Sequence, residues 1–293
     1  MSQPQMSQSS SFVVANGIKH HILEMGERSR PPVMMVHATG LCAYSWLPIA
    51  RNLARDYFVM ALDQRGHGDT EPSECGYSFE MVGNDLKAII ETLDLKGLRV
   101  VGHSSGGLAS LMAASQLSAR IVQTCLVETR VGESPANAPP GELYERARRT
   151  RMKRAIWESR QAMYEAYRKR PAFRNWTEEA FGAFINGGAR ALADGRVELK
   201  CHPDVEATFY EQRDSLQVSH YFDGLQGGFL LLLGDYPEAQ TLQDVGVKRF
   251  LEGVPGARVK PMGMGSHFLP MEHPGEVTAE VSQFFGSGEN IAS

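Results

Sequence analysis

Val100-Val101-Gly102-His103-Ser104-Ser105-Gly106-Gly107 joins two segments of different character. Before it, Leu98 to Val101 is an apolar run that reads as a buried strand; after it, Leu108-Ala109-Ser110-Leu111-Met112-Ala113-Ala114 reads as a helix. A turn tight enough to lift a serine clear of the backbone between a strand and a helix crowds its own neighbours. Gly102 and Gly106, two residues either side of Ser104, lack the Cβ that would clash. Ser104 then stands at a helix N-terminus, where free N–H groups and the helix dipole favour developing negative charge. The strand before and the helix after favour a nucleophilic Ser104 over a plain glycine turn.

Working outward, the neighbouring segments alternate. Val33-Met34-Met35-Val36 and Phe58 to Leu62 are continuous apolar runs, the signature of strands buried on both faces. Phe12-Val13-Val14, an Asn16-Gly17 turn and Ile18 to Leu23 read as a hairpin, with His20 and His21 as strand residues. Trp46 to Arg55 and Phe79 to Leu93 read as helices. Downstream, Ile121 to Val127 is a strand ending at Glu128-Thr129-Arg130. Gly227 to Leu233 and Ala257 to Met262 are two more strands, separated by a helix over Leu242 to Leu251 and closed by another over Pro274 to Phe285. Strands alternating with helices predict an α/β fold with a doubly wound, mostly parallel sheet.

Between these halves the composition changes. Ser134 to Pro140 is a Pro- and Ala-rich linker, and Glu142 to Arg174 is helical and basic, with eleven Lys/Arg against four Glu. Thr177 to Leu192 reads as a further helix. Apolar and aromatic residues such as Trp157, Met163, Tyr164 and Tyr167 recur at helical spacing. The expected organisation is therefore a disordered tail over 1–11, a core built from 12–133 and 224–293, and an inserted helical cap over 134–223. The basic run has two readings: a solvated helix face, or a positive rim that attracts an anionic substrate.

The chain has 293 residues, 42% hydrophobic and 22% charged, with net charge −4. This balance gives no global signal for nucleic acid. The longest apolar run, Phe229 to Leu233, is far too short for a membrane span. The polar N-terminus lacks the basic and apolar regions of a signal peptide, so the expected location is cytoplasmic. Cys42, Cys75, Cys125 and Cys201 are scattered without C-x-x-C pairing and read as free buried thiols, with no metal site expected. Oligomeric state leaves no mark on the sequence.

With the strand–serine–helix turn after an early central strand, the chain resembles the α/β-hydrolase superfamily over nearly its whole length except the cap. Val36-His37-Ala38-Thr39-Gly40 stands where that family has its His-Gly oxyanion loop, with Ala38 in place of the common glycine. Asp63-Gln64-Arg65-Gly66-His67-Gly68 resembles its D-x-R-G-H-G turn. Gly265-Ser266-His267-Phe268-Leu269-Pro270 resembles its terminal histidine loop. The resemblance implies Ser104 as nucleophile, His267 as base, and an oxyanion hole from the backbone N–H groups of Thr39 and Ser105. His37 and His67 are expected to orient their turns. Histidine suits the role of base because its pKa lies near operating pH.

The third triad member is open at this stage. Most of the superfamily places an acid three residues past the glycine that is here Gly234, and that position is Pro237. Asp235 and Glu238 flank it. Some branches place the acid after the preceding sheet strand, where Glu128 stands; certain haloalkane dehalogenases and the fungal zearalenone lactonases resemble this arrangement. The lactonases also share the Ser-Ser-Gly turn and a histidine loop similar to Gly263 to Phe268. Glu128 is therefore favoured, with Asp235 and Glu238 as alternatives.

The implied activity is a cofactor-free serine hydrolase that cleaves a carboxylic ester or lactone through an acyl-enzyme. Carbon–carbon bond hydrolysis or lyase action on the same triad, or a non-catalytic ligand receptor, are the rivals. Epoxide hydrolysis and haloalkane dehalogenation are disfavoured, since those families carry Asp where Ser104 stands. The cap aromatics Trp157, Tyr164, Tyr167, Phe173, Trp176, Phe181 and Phe184, with His103 beside the serine, are candidates to line the pocket. They suggest a bulky, largely apolar substrate, unless they pack the cap's own core.

Overall fold

The computed structural model describes residues 8–132, 141–212 and 216–287; for residues 142, 143, 238 and 239 the backbone alone is described. The linker expected at 134–140 lies outside the described residues.

In chain order the strands are β1 (Gln8–Ala15), β2 (Ile18–Met25), β3 (Pro32–Val36), β4 (Phe58–Leu62), β5 (Leu98–His103) and β6 (Ile121–Val127). Then come β7 (Ile156–Trp157), β8 (Ala189–Ala191), β9 (Val197–Leu199), β10 (Gly228–Leu233) and β11 (Arg258–Pro261). Eight of them form one sheet in the order β1-β2-β4-β3-β5-β6-β10-β11. The β1–β2 and β2–β4 pairs are antiparallel, and every pair from β4 through β11 is parallel.

Each central strand is an apolar run because both of its faces are covered. Val33 to Val36 are all fully buried, and burying each such side chain stabilises by roughly 1.5–3 kcal/mol. On one face pack α1 (Leu47–Leu53) and the closing helix; on the other, α2 (Phe79–Thr92) and α3 (Ser105–Gln116). Helix α2 starts where Ser78 caps it, its hydroxyl accepting from the Met81 N–H. After β10 come α8 (Glu238–Gln243), α9 (Val245–Gly253), α10 (Leu269–Glu272) and α11 (Pro274–Gly286), preceded in the insertion by α4 (Glu142–Arg151), α5 (Arg160–Arg168), α6 (Glu178–Gly187) and α7 (Pro203–Gln212).

Three expectations change. The tail expected through Ser11 is already strand from Gln8, with Ser9, Ser10 and Ser11 paired to Glu24, Leu23 and Ile22. Its serines belong to an exposed edge and bond across it: Ser11 donates to Glu24 at 2.6 Å and Ser10 Oγ sits 3.0 Å from His21 Nε2. The insertion is not purely helical, since β7-β9-β8 form an antiparallel sheet within it. The long basic helix stops at Arg151, and a new one starts where Ser159 caps α5. The next helix ends at Gly187, and a turn through Gly195, φ 88°, folds β8 back on β9. Cys75 is exposed, whereas Cys42, Cys125 and Cys201 are buried thiols as expected.

Candidate active site

Ser104 joins β5 to α3 with φ 53° and ψ −112°, a conformation that costs a non-glycine residue on the order of 1–3 kcal/mol. It is held there by its N–H on the Val127 carbonyl at 3.0 Å. The flanking glycines are steric requirements: a Cβ on Gly102 would lie 2.5 Å from the Gly107 Cα, and one on Gly106 would lie 2.1 Å from the Val36 carbonyl oxygen. The turn packs its backbone directly against β3, which brings the β3 loop to the serine.

That loop is fixed from below by the Asp63–Gly68 turn. The Gly40 N–H donates to His67 Nε2 at 2.9 Å, and the Gln64 N–H donates to His37 Nε2 at 3.1 Å. Both rings accept, so both are neutral, in keeping with burial that pushes His37 down to about 4 and lowers His67. Arg65 clamps the turn by a two-pronged ion pair with Asp85 at 2.6 and 2.7 Å. Thr39 is left on the wall beside Ser104 and Ser105. Among the described residues, neither the Thr39 nor the Ser105 backbone N–H donates a hydrogen bond. Two unpaired donors beside a serine are what an oxyanion needs.

Glu128 directly follows β6, also at positive φ, 50°. Its N–H continues the ladder onto the Leu232 carbonyl at 2.9 Å, which turns the buried side chain toward the β10 end. One carboxylate oxygen accepts the Gly234 N–H; the other lies 3.6 Å from His267 Nδ1. Tyr236 lines the space next to the same carboxylate, and burial followed by the Glu128 charge raises the phenol's pKa. Asp235 is exposed; its N–H holds the Gly265 carbonyl at 3.0 Å, and its carboxylate reaches no His267 atom among the described residues. Glu238 opens α8, and its side chain lies outside the described residues. Of the three alternatives, the structure brings Glu128 to the histidine.

Ser104, Ser105, Thr39, Glu128 and His267 share one cavity of about 180 Å³. A space of about 470 Å³ touches Glu128 and His267 from the far side without reaching Ser104. An imidazole with Nδ1 toward a carboxylate presents Nε2 for proton transfer.

The pocket candidates divide. His103 does not line the cavity: it is fully buried and donates from Nε2 to the His267 carbonyl at 2.7 Å, so it positions the histidine loop. Burial and the neighbouring His267 push its pKa down to about 3. Trp157 and Trp176 also stay out of the cavity. Trp157 packs on Tyr167, and Trp176 on Phe173 and Phe268, within an apolar cluster that joins the insertion to Ala38, Leu41, Cys42 and Met271 of the core. Tyr167, Phe173 and Phe184 line an adjoining cavity of about 370 Å³, which shares Thr39, Arg146, Tyr210 and Phe268 with the first. Phe79, Leu108, Arg146 and Tyr210 were missed as wall residues. Tyr210 stands on α7, a helix the sequence reading passed over, and nothing in the local sequence shows which face of α4 turns inward. His21, Asp63 and Asp69 place three ligand-type atoms within 4.8 Å, but Asp63 already accepts from Ala43, His21 and Asp69.

A family model for the alpha/beta hydrolase fold matches residues 31–228, and the chain belongs to that family. Epoxide hydrolase 4 of Homo sapiens is 30% identical over 101 residues, which are 34% of this chain and 28% of that one. The chain thus matches well under a third of that relative's length. Two solved structures extend the likeness to the whole fold. An E-2-(acetamidomethylene)succinate hydrolase superposes with a TM-score of 0.80 at 17% identity, covering 96% of this chain and all of that one. The enol-lactonase of Burkholderia xenovorans LB400 does so at 0.72 and 20%, covering 94% and 100%. Among the described residues, no helix is long and apolar enough to cross a membrane.

Proposed function

We propose that the protein is a serine hydrolase of carboxylic esters or lactones. The observation that carries this reading is the convergence on one cavity of a strained, glycine-flanked Ser104, a His267 facing the buried Glu128, and two unpaired backbone N–H groups. Ser104 Oγ attacks the carbonyl carbon while His267 Nε2 takes its proton. The carbonyl oxygen becomes an oxyanion held by the Thr39 and Ser105 N–H groups. Glu128 keeps Nδ1 protonated and balances the imidazolium. Collapse of the tetrahedral intermediate returns the proton to the leaving alcohol, and water then releases the acid by the same steps in reverse roles. Residues 134–223 act as the cap over this site. The acid at the end of β6 supports the lactonase side of the resemblance.

The test is active-site labelling with a fluorophosphonate, together with turnover of aryl esters and lactones. We expect one adduct, on Ser104, and a loss of kcat of order 10⁶ in Ser104→Ala. A folded protein that neither labels nor turns over any member of the panel would remove the hydrolase reading.

A further inference from the structure

The basic segment of the insertion is sorted by helical phase. On α4, Arg148 pairs with Glu145 at 3.0 Å and Arg151 with Glu211 at 2.5 Å, both pairs on the outer surface. Arg146 and Arg149, three residues apart and so on a common face, line the cavity next to the serine instead, and Lys153 continues that wall. Arg146 belongs to both cavities, standing with Ser104 in the smaller one and with Arg149 and Arg170 in the larger.

The acids in these walls are already matched. Glu128 faces His267, and Glu206 binds Lys153 and the Tyr210 hydroxyl. Among the described residues, Arg146, Arg149 and Arg170 have no carboxylate partner. A chain of net charge −4 therefore carries a locally positive cavity at its nucleophile. Two of these side chains are braced rather than loose. The Arg146 guanidinium carbon lies 4.0 Å from the Tyr210 ring centroid, and that of Arg170 lies 4.2 Å from the Tyr167 centroid. A stacked guanidinium uses its face on the ring and turns its N–H edge to a planar anion, which a carboxylate matches in a two-pronged contact. Phe173, Phe184 and Phe268 offer an apolar wall alongside.

We infer that the substrate is an ester or lactone that carries a carboxylate on an apolar body, with the carboxylate held by Arg146 and assisted by Arg149 and Arg170. This deepens, and rests on, the hydrolase reading above. The reaction itself is unchanged: the carboxylate is neither formed nor consumed, and its attraction to the arginines lowers KM or raises the on-rate rather than altering the bond-breaking step.

The experiment uses two matched pairs, 4-acetoxybenzoate with its methyl ester, and phenyl hydrogen adipate with its methyl ester. They place the carboxylate on the leaving-group side and on the acyl side, respectively. Ser104→Ala protein is titrated with all four by calorimetry, and the wild type supplies kcat/KM. At least one carboxylate should bind about tenfold more tightly than its methyl ester, and the preference should shrink severalfold in Arg146→Met and in Arg149→Met, which keep much of the length of the side chain on the cavity wall and remove its charge. The preference should also weaken as salt rises. A preference under threefold in both pairs, or one that both substitutions leave intact, overturns the inference. Selective carboxylate binding without wild-type turnover would remove the hydrolase reading while leaving the anion site standing.

Discussion

Glu128 shows how one residue can be placed for chemistry at a local cost. It takes a left-handed backbone conformation that side chains other than glycine's rarely adopt, and its carboxylate is buried. Both costs are offset because the Leu232 carbonyl holds its N–H and the Gly234 N–H holds its carboxylate in that position. A buried carboxylate so held faces His267 Nδ1, the ring nitrogen that the proposed mechanism keeps protonated. Glu128→Gln keeps the shape and removes the charge that balances an imidazolium. We expect kcat to fall by a factor on the order of 10⁴, with the melting temperature within a few degrees of wild type. Asp235→Asn, at an exposed side chain, should keep nearly full activity. Steady-state kinetics on an aryl ester, paired with thermal melts, checks both, and the reverse ranking would move the acid to the β10 loop.

At the scale of elements, the loop after β3, to which the proposed mechanism gives the oxyanion, is held by the Asp63–Gly68 turn. His67 reaches it as an acceptor for the Gly40 N–H while fully buried against Phe209. His67→Phe fills the space and removes the acceptor, leaving that N–H unsatisfied at about 1–3 kcal/mol. The expected result is a lower melting temperature and a kcat reduced about tenfold or more with KM little changed, because the loop aligns a donor needed mainly in the transition state. Equal losses in kcat and KM would point to general loosening instead. This loop and turn, the serine turn and the histidine loop were all legible in the sequence, because glycine spacing and two-face-buried strands leave local marks. The insertion was legible only as an interruption. Its strand β7 pairs with β9 across tens of residues, β8 and β9 form only a short hairpin, and two- or three-residue strands have no period to read. Helical spacing leaves its aromatics open between a pocket wall and a packed core, and the structure divides them: Tyr167, Phe173 and Phe184 line the adjoining cavity, whereas Trp157 and Trp176 are buried away from it. The inward face of α4, which puts Arg146 at the serine, is set by the packing of α4 against α7 and is invisible in a run where nearly every other residue is basic.

For the molecule as a whole, the arrangement that orients the site also fixes how stability depends on pH. His37, His67, His103 and His20 are buried, and burial is the first cause that lowers each of them, to about 4 for His37 and about 3 for His103. In the unfolded chain each titrates near 6.5. The folded values are the lower ones, so as pH falls below about 6.5 the unfolded chain takes up protons that the folded chain refuses. Stability is then fully present above that pH and is lost progressively as pH falls toward 4 and 3. Asp63 adds to the loss at the acid end, since its pKa is held below the usual value by His21, His37 and the Ala43 N–H acting against its burial. Each group contributes at most about 1.4 kcal/mol per pH unit within its window. Urea denaturation should therefore give a midpoint that is flat from pH 7 to 8 and falls steeply from 6.5 to 4. His103→Gln keeps a donor for the His267 carbonyl and removes one titrating ring, so the acid slope should become shallower while the midpoint at pH 8 shifts little. A slope identical to wild type would mean that His103 is already protonated in the folded chain, which would conflict with its burial and with the unpaired Nδ1 that the structure leaves in the core.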